Sequence, residues 1–295
     1  MFYIRIISLT SIAMIAFAGN SLLCRAALDH TGLDAASFTT IRLISGAVIL
    51  WLVARMRRGT NSVGGGNWIS AFALFAYAAG FSFAYVSLPT ATGALLLFGA
   101  VQATMIGRAI WAGERLRRLQ LVGLMLALGG LVGLLLPGLS APPLFGSILM
   151  LGAGVAWGVY SLRGMGAGDP NKVTAGNFMR SIPIAAVLSL ATYGSASFDS
   201  VGFWYAVLSG AFASGIGYAI WYTALPMLKA TNAATVQLSV PVIAALGGIV
   251  FLGETVTLRL VLASVAILGG IAMVIIEKQH ANGAQLLRIE PTKRP

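Results

Sequence analysis

Charge is scarce in this chain, and acid is scarcer still. Of 295 residues only 9% are charged, with 8 Asp or Glu against 19 Lys or Arg. Soluble globular domains carry about a quarter charged residues, so an ordinary water-facing surface is excluded. Cysteine is nearly absent too. Cys24 stands alone, which rules out an internal disulfide and a thiolate metal cluster. The 2 histidines, His30 and His280, fall outside the apolar runs. With no mid-run acid beside them, no metal site, cofactor site or catalytic set is expected.

What fills the chain instead is hydrocarbon. Apolar residues make up 58% of it, gathered in ten runs at roughly 5–25, 36–55, 67–87, 90–111, 118–136, 143–163, 173–194, 200–225, 230–252 and 257–277. A bilayer core needs about 20 apolar residues per helix. The runs are continuously apolar and do not alternate, so they predict spanning helices and not barrel strands. The first run lacks a convincing cleavage site and reads as a retained helix. The polar end, 278–295, reads as a cytoplasmic tail, disordered beyond the last helix.

The net charge of +11 reads as topology and lipid contact, not nucleic-acid binding. Across ten spans the basic residues gather on one side, including Arg55, Arg57, Arg58, Arg115, Arg117, Arg118 and Lys229, with only Arg25 and Arg259 in the opposite loops. Lys and Arg accumulate in cytoplasmic loops, so both termini are expected there. The compact loops fit a bacterial inner membrane.

The chain is also written twice. Trp111-Ala112-Gly113-Glu114 follows the fourth run and Phe251-Leu252-Gly253-Glu254 the ninth. Tyr85-Val86-Ser87-Leu88-Pro89 answers Tyr222-Thr223-Ala224-Leu225-Pro226, and Thr40-Ile41-Arg42 answers Phe178-Met179-Arg180, each about 140 residues on. The spacing predicts two repeats, 1–138 and 139–277, followed by the tail. Five helices per repeat is an odd number, so the second copy enters the membrane inverted. Inverted repeats around a midplane site are characteristic of secondary transporters.

Ten spans, two five-helix repeats and the hinge pairs Gly113-Glu114 and Gly253-Glu254 resemble the drug/metabolite transporter superfamily, in its EamA-type branch. Within that branch the chain resembles amino-acid exporters of the YddG type. The resemblance covers residues 5–277. It implies an all-α membrane protein whose central cavity is lined by helices 1, 3, 4, 6, 8 and 9, with helices 5 and 10 peripheral. It also implies export of amino acids or similar small metabolites. One departure stands out: four-helix members of the superfamily hold cationic drugs with a Glu in their first helix, and no acid occurs there.

An ionisable residue inside a bilayer is a functional hypothesis by default, and here no carboxylate lies mid-span. That favours neutral or zwitterionic solutes in an uncharged compartment. Arg42, Arg108 and Arg180 lie deeper than the loop clusters. Two readings of them stand open: snorkelling to an interface, or a repeat-related gate or tether for Arg42 and Arg180. Polar and aromatic residues inside the runs make the expected binding set: Asn20, Tyr77, Phe81, Phe98, Gln102, Trp157, Tyr160, Tyr218 and Gln237. Such groups suit pockets that are mainly apolar with a few hydrogen-bonding side chains. Gly129-x-x-x-Gly133, Gly154-x-x-x-Gly158, Gly247-Gly248 and Gly269-Gly270 predict close helix crossings, and Pro183 and Pro241 predict kinks.

The function expected is export of amino acids, aromatic or of broad range, by alternating access from a monomer in the lipid bilayer. Proton-coupled efflux of drug-like solutes and nucleotide-sugar transport are the alternatives. An intramembrane enzyme finds no catalytic constellation, and a channel finds no ring of charge.

Overall fold

A computed structural model describes residues 2–56, 65–113, 115–138, 140–164, 169–228 and 236–289. Ten apolar helices follow in order: α1 (Phe2–His30), α2 (Ala35–Met56), α3 (Trp68–Tyr85), α4 (Thr90–Trp111), α5 (Arg118–Leu135), α6 (Leu144–Gly164), α7 (Pro170–Ala191), α8 (Ser200–Ala224), α9 (Ser239–Leu252) and α10 (Leu258–Ile289). Among the described residues all but α9 are long and apolar enough to cross a membrane. The run expected at 230–252 is described only from Val236, since residues 229–235 lie outside the described set. Among the described residues there is no strand.

The few acids explain where the helices begin. The first backbone N–H groups of a helix have no partner within it, and a carboxylate placed there satisfies them. Asp34 accepts from the N–H of Ala36 and Ser37 at 3.0 and 2.9 Å. Asp169 caps α7 through Asn171, with Pro170 opening the helix, and Asp199 caps α8 through Gly202. The acids that lie between apolar runs are thus largely the punctuation of the fold.

Asp34 also joins two loops, accepting from the Ser197 N–H at 3.0 Å. Burial pushes its carboxyl upward, but the hydrogen bonds from Ser37, Ser197 and Ala36 outweigh it and hold the group below the ordinary carboxylate range. A depressed carboxylate contributes stability above its unfolded pKa and loses it as pH falls through the folded value. Wild type is therefore expected to melt above Asp34→Asn at neutral pH, with the gap closing under acid. Thermal unfolding of both proteins between pH 7 and pH 3 measures this.

The packing has a regular pattern. α1 packs on α8 and α9, as α6 packs on α3 and α4; α2 meets α7 and α8, as α7 meets α2 and α3; α5 pairs with α10. Exchanging each helix with the one five places along the chain leaves these pairings unchanged. α5 and α10 stand at the periphery with outward faces of Leu121, Val122, Met125, Leu262 and Val265, which only lipid can cover favourably.

Glycine sets several of the crossings, though not all those expected. Beyond Gly154 lie the Leu97 carbonyl and Ala100 of α4, and beyond Gly158 lies Thr104. Gly123 and Gly270 meet each other's backbone across the α5–α10 pair. Gly129, Gly133 and Gly269 instead face open space, because they lie off the contact stripe of their helices. A second difference is at the end of the chain, where α10 runs on to Ile289. The segment expected to be disordered beyond 277 is helical that far, since it holds good helix formers and no proline before Pro291.

Candidate functional site

Halfway along the bundle, aromatic side chains from five helices converge. Tyr77 and Phe81 lie one turn apart on α3 with ring centroids 5.5 Å apart. Trp157 of α6 stands 4.8 Å from Tyr77 and 5.0 Å from Tyr218 of α8. Phe17 of α1 and Phe178 of α7 close on Tyr218 at 5.7 and 5.9 Å. Between them lies a cavity of about 20 Å³ lined by Phe17, Asn20, Tyr77, Phe81, Leu97, Phe98, Trp157, Ala213 and Tyr218. That is room for roughly one water. α1, α3, α4, α6 and α8 supply the wall, and α9 does not.

One hydroxyl organises the polar side of this compartment. Asn20 Nδ2 donates to Tyr77 Oη at 3.2 Å and Arg42 Nη2 donates to the same oxygen at 3.0 Å. Ser209 Oγ donates to Asn20 Oδ1 at 2.6 Å, and Arg42 Nε to Ser214 Oγ at 3.2 Å. Both serines lie in a π-helical stretch of α8, Ser209–Ile216. Its i→i+5 register sets residues five apart about one turn apart, so Ser209 and Ser214 reach the same network.

Arg42 does not snorkel. It is 1% exposed, its guanidinium packed 5.0 Å from the Tyr77 ring centre and 4.9 Å from that of Phe81. The compartment expected to be uncharged therefore has a cation against its wall. Arg42 escaped the expectation because seven residues into an apolar run is within snorkelling reach on sequence spacing alone. Arg180 behaves otherwise, donating through Nη1 to the carbonyls of Gly65 and Gly176 at 2.9 and 3.0 Å. Arg108 is exposed over Trp111. The repeat-related pair Arg42 and Arg180 thus occupies two different environments.

The other expected site residues fall at varied distances from the cavity. Phe98 lines it. Tyr160 stacks on Trp157 at 5.4 Å and accepts a long hydrogen bond from Asn177 Nδ2, 3.5 Å. Gln102 is buried, with Nε2 unpartnered, but does not line the cavity. Gln237 is half-buried and outside the lining. The helix is interrupted at Leu238 just ahead of Pro241, which has no N–H to offer the Gln237 carbonyl four residues back. Glu114 lies outside the described residues. Phe17, Ser209 and Ser214 were not singled out in advance, and Phe178 only as part of the repeat; two serines in an apolar run spaced by five match no α-helical face.

Polar ties hold the bundle at each end. At one end Glu254 follows Gly253, whose φ of +65° ends α9 in the left-handed region that suits glycine; Gly113 ends α4 likewise at +92°. The Glu254 carboxylate accepts from the Thr90 N–H at 2.9 Å, capping α4, and meets Arg25 at 3.5 Å. Arg25 also bonds Asp29 and the Tyr85 carbonyl. At the opposite end Asn67 N–H donates to Asn177 Oδ1 at 2.9 Å, and Arg163 donates to Ser70 and Asn67. These contacts, with Arg180 on Gly65, bind α6 and α7 to the start of α3.

A closed helical bundle with an aromatic compartment at mid-depth and polar ties at both ends is the build of a multi-pass membrane transporter. Comparison with known proteins agrees. The model of the EamA-like transporter family matches residues 144–276. An uncharacterized protein of Pseudomonas aeruginosa is 56% identical over 271 residues, 92% of this chain and 94% of that one. The threonine/homoserine exporter RhtA of Salmonella typhimurium is 36% identical over 160 residues, 52% of this chain and 53% of the exporter. A solved crystal structure shares the fold at a TM-score of 0.67 and 20% identity, covering 93% of this chain and 98% of that one. The chain belongs to the EamA-like transporter family. It is a multi-pass membrane protein of a family that moves small molecules and is not enzymatic.

Proposed function

We propose that this protein is a secondary transporter of the bacterial inner membrane that exports amino acids and related small metabolites by alternating access. The observation that carries the reading is the aromatic compartment at mid-bundle, walled by helices from both halves of the chain. Its side chains offer ring faces, hydroxyls and one amide, which suits a small zwitterion. Residues 1–138 and 139–277 act as inverted five-helix halves, and the exchange symmetry of the helix pairings supports this. The end holding Arg163, Lys172 and Arg180 faces the cytoplasm, as do both termini, in keeping with the placement of basic residues.

With about 20 Å³ free, no amino acid fits while both ends are tied. Loading requires the rings to part as one set of ties opens, and release requires the other set to open. Glu254 with Arg25 and Thr90 forms the outer gate; Asn67 with Asn177, Arg163 and Arg180 forms the inner one. A single chain supplies both halves, so the monomer suffices. The relation to a threonine/homoserine exporter favours small polar amino acids within the range.

Flux of radiolabelled threonine, homoserine and phenylalanine through proteoliposomes, with and without a proton gradient, tests the proposal. Saturable flux of at least one of them above that of empty liposomes is expected. Flux confined to cationic drugs or nucleotide sugars, or no flux at all, would overturn it.

A further inference from the structure

The strongest unexplained feature of the molecule is the buried guanidinium of Arg42. It begins seven residues into α2, about 10 Å from the helix end, and is 1% exposed. Among the described residues no carboxylate pairs with it; the ion pairs of Arg25, His30 and Arg117 lie elsewhere. Of five guanidinium N–H donors, two are engaged, by Ser214 and Tyr77. Nη1 is buried and has no partner.

A desolvated cation left without a counter-charge is costly. If its task were only to join α2 to α3 and α8, a neutral amide would serve without that penalty. Its neighbours are instead two hydroxyls and the faces of Tyr77 and Phe81, and both of those rings wall the cavity. The unengaged N–H groups are two on Nη1 and one on Nη2, and paired guanidinium N–H groups match the two oxygens of a carboxylate.

We propose that Arg42 is the anchor for the carboxylate of the transported solute. The solute then supplies the counter-charge that the protein withholds. Its ammonium group, which finds no acid in the cavity wall, lies against the ring faces of Trp157, Tyr218 and Phe17. The site therefore selects molecules bearing a free carboxylate and rejects their amides, whose only charge is positive. This rests on the transporter reading and names its substrate class.

The test uses the full-length protein purified in detergent, with binding of L-threonine, L-homoserine and L-phenylalanine and of the matching amides followed by calorimetry and by thermal stabilisation. At least one acid is expected to bind, about tenfold or more tightly than its amide. Arg42→Gln is expected to bring the two within about twofold, and Arg42→Lys to keep part of the preference. Equal binding of acid and amide by wild type, a preference that survives in folded Arg42→Gln, or no binding by any acid would overturn the proposal. The wild-type comparison decides even where Arg42→Gln fails to fold. Acid binding without flux in liposomes would sink the transporter reading alone, whereas equal flux of acid and amide would sink this inference alone.

Discussion

Removing a single oxygen, by Tyr77→Phe, is expected to destabilise the folded bundle by about 2–4 kcal/mol, because two buried donors lose their shared acceptor. Hydrogen bonds between helices in membranes average nearer 0.6 kcal/mol, so the expected size needs a reason. One donor here is the Arg42 guanidinium, which already has an unpartnered nitrogen, and hydrogen bonds to charged groups are the stronger kind. The other, Asn20, is 4% exposed and keeps only its bond from Ser209. The ring itself stays, so its contacts with Trp157 and Phe81 are retained and the loss belongs to the hydroxyl. Thermal unfolding in detergent should show a clear fall in the midpoint for Tyr77→Phe and none for Tyr193→Phe, whose side chain is 79% exposed. Equal midpoints for all three proteins would mean that the hydroxyl is not the hub of the network.

Gly154→Leu is expected to prevent stable accumulation of the protein, while Gly129→Leu is tolerated. A Cβ at Gly154 would lie 2.5 Å from the Leu97 carbonyl and 2.6 Å from the Ala100 methyl of α4. Neither neighbour is the tip of a flexible side chain, so α4 and α6 must separate along their seam. Overpacking a formed core costs about 1–3 kcal/mol, occasionally more, and a leucine driven into backbone belongs to the upper end. The same substitution at Gly129 meets nothing within 4 Å and adds only apolar surface to a lipid-facing groove. Fluorescence-detected size exclusion of the two variants separates the outcomes: aggregation or loss for Gly154→Leu, a wild-type peak for Gly129→Leu. The contrast matters because both glycines belong to identical small-x-x-x-small patterns.

The same contrast shows where sequence reasoning stops. The ten apolar runs and the Gly-Glu pairs that follow two of them were legible because each is a local pattern of length or repeat. Gly113 and Gly253 betray themselves by position, since both end an apolar run and both take positive φ. Which glycine stripe meets a neighbour is a question of helix rotation, and Gly154 and Gly129 look alike until α4 is placed. The partners of Arg42 were hidden for the same reason: Ser214 lies 172 residues away in a π-helical turn that no 3.6-residue periodicity reveals. Repeat arithmetic also equated Arg42 with Arg180, yet one packs against cavity rings and the other ties the Gly65 carbonyl. Equivalent positions in two halves need not keep equivalent chemistry once the halves have diverged.

In the proposed arrangement of two inverted halves, the segments after α4 and α9 lie on opposite faces of the membrane. Cys24 is the chain's sole cysteine and is fully buried, so a new surface cysteine can be labelled against a low background. Arg115→Cys and Thr255→Cys, each expressed in intact cells and treated with a membrane-impermeant maleimide, make the most direct measurement. Thr255→Cys should react from outside, and Arg115→Cys only after the membrane is permeabilised. Reaction of both from the same side would contradict the inverted arrangement, and with it the alternating opening of the aromatic compartment.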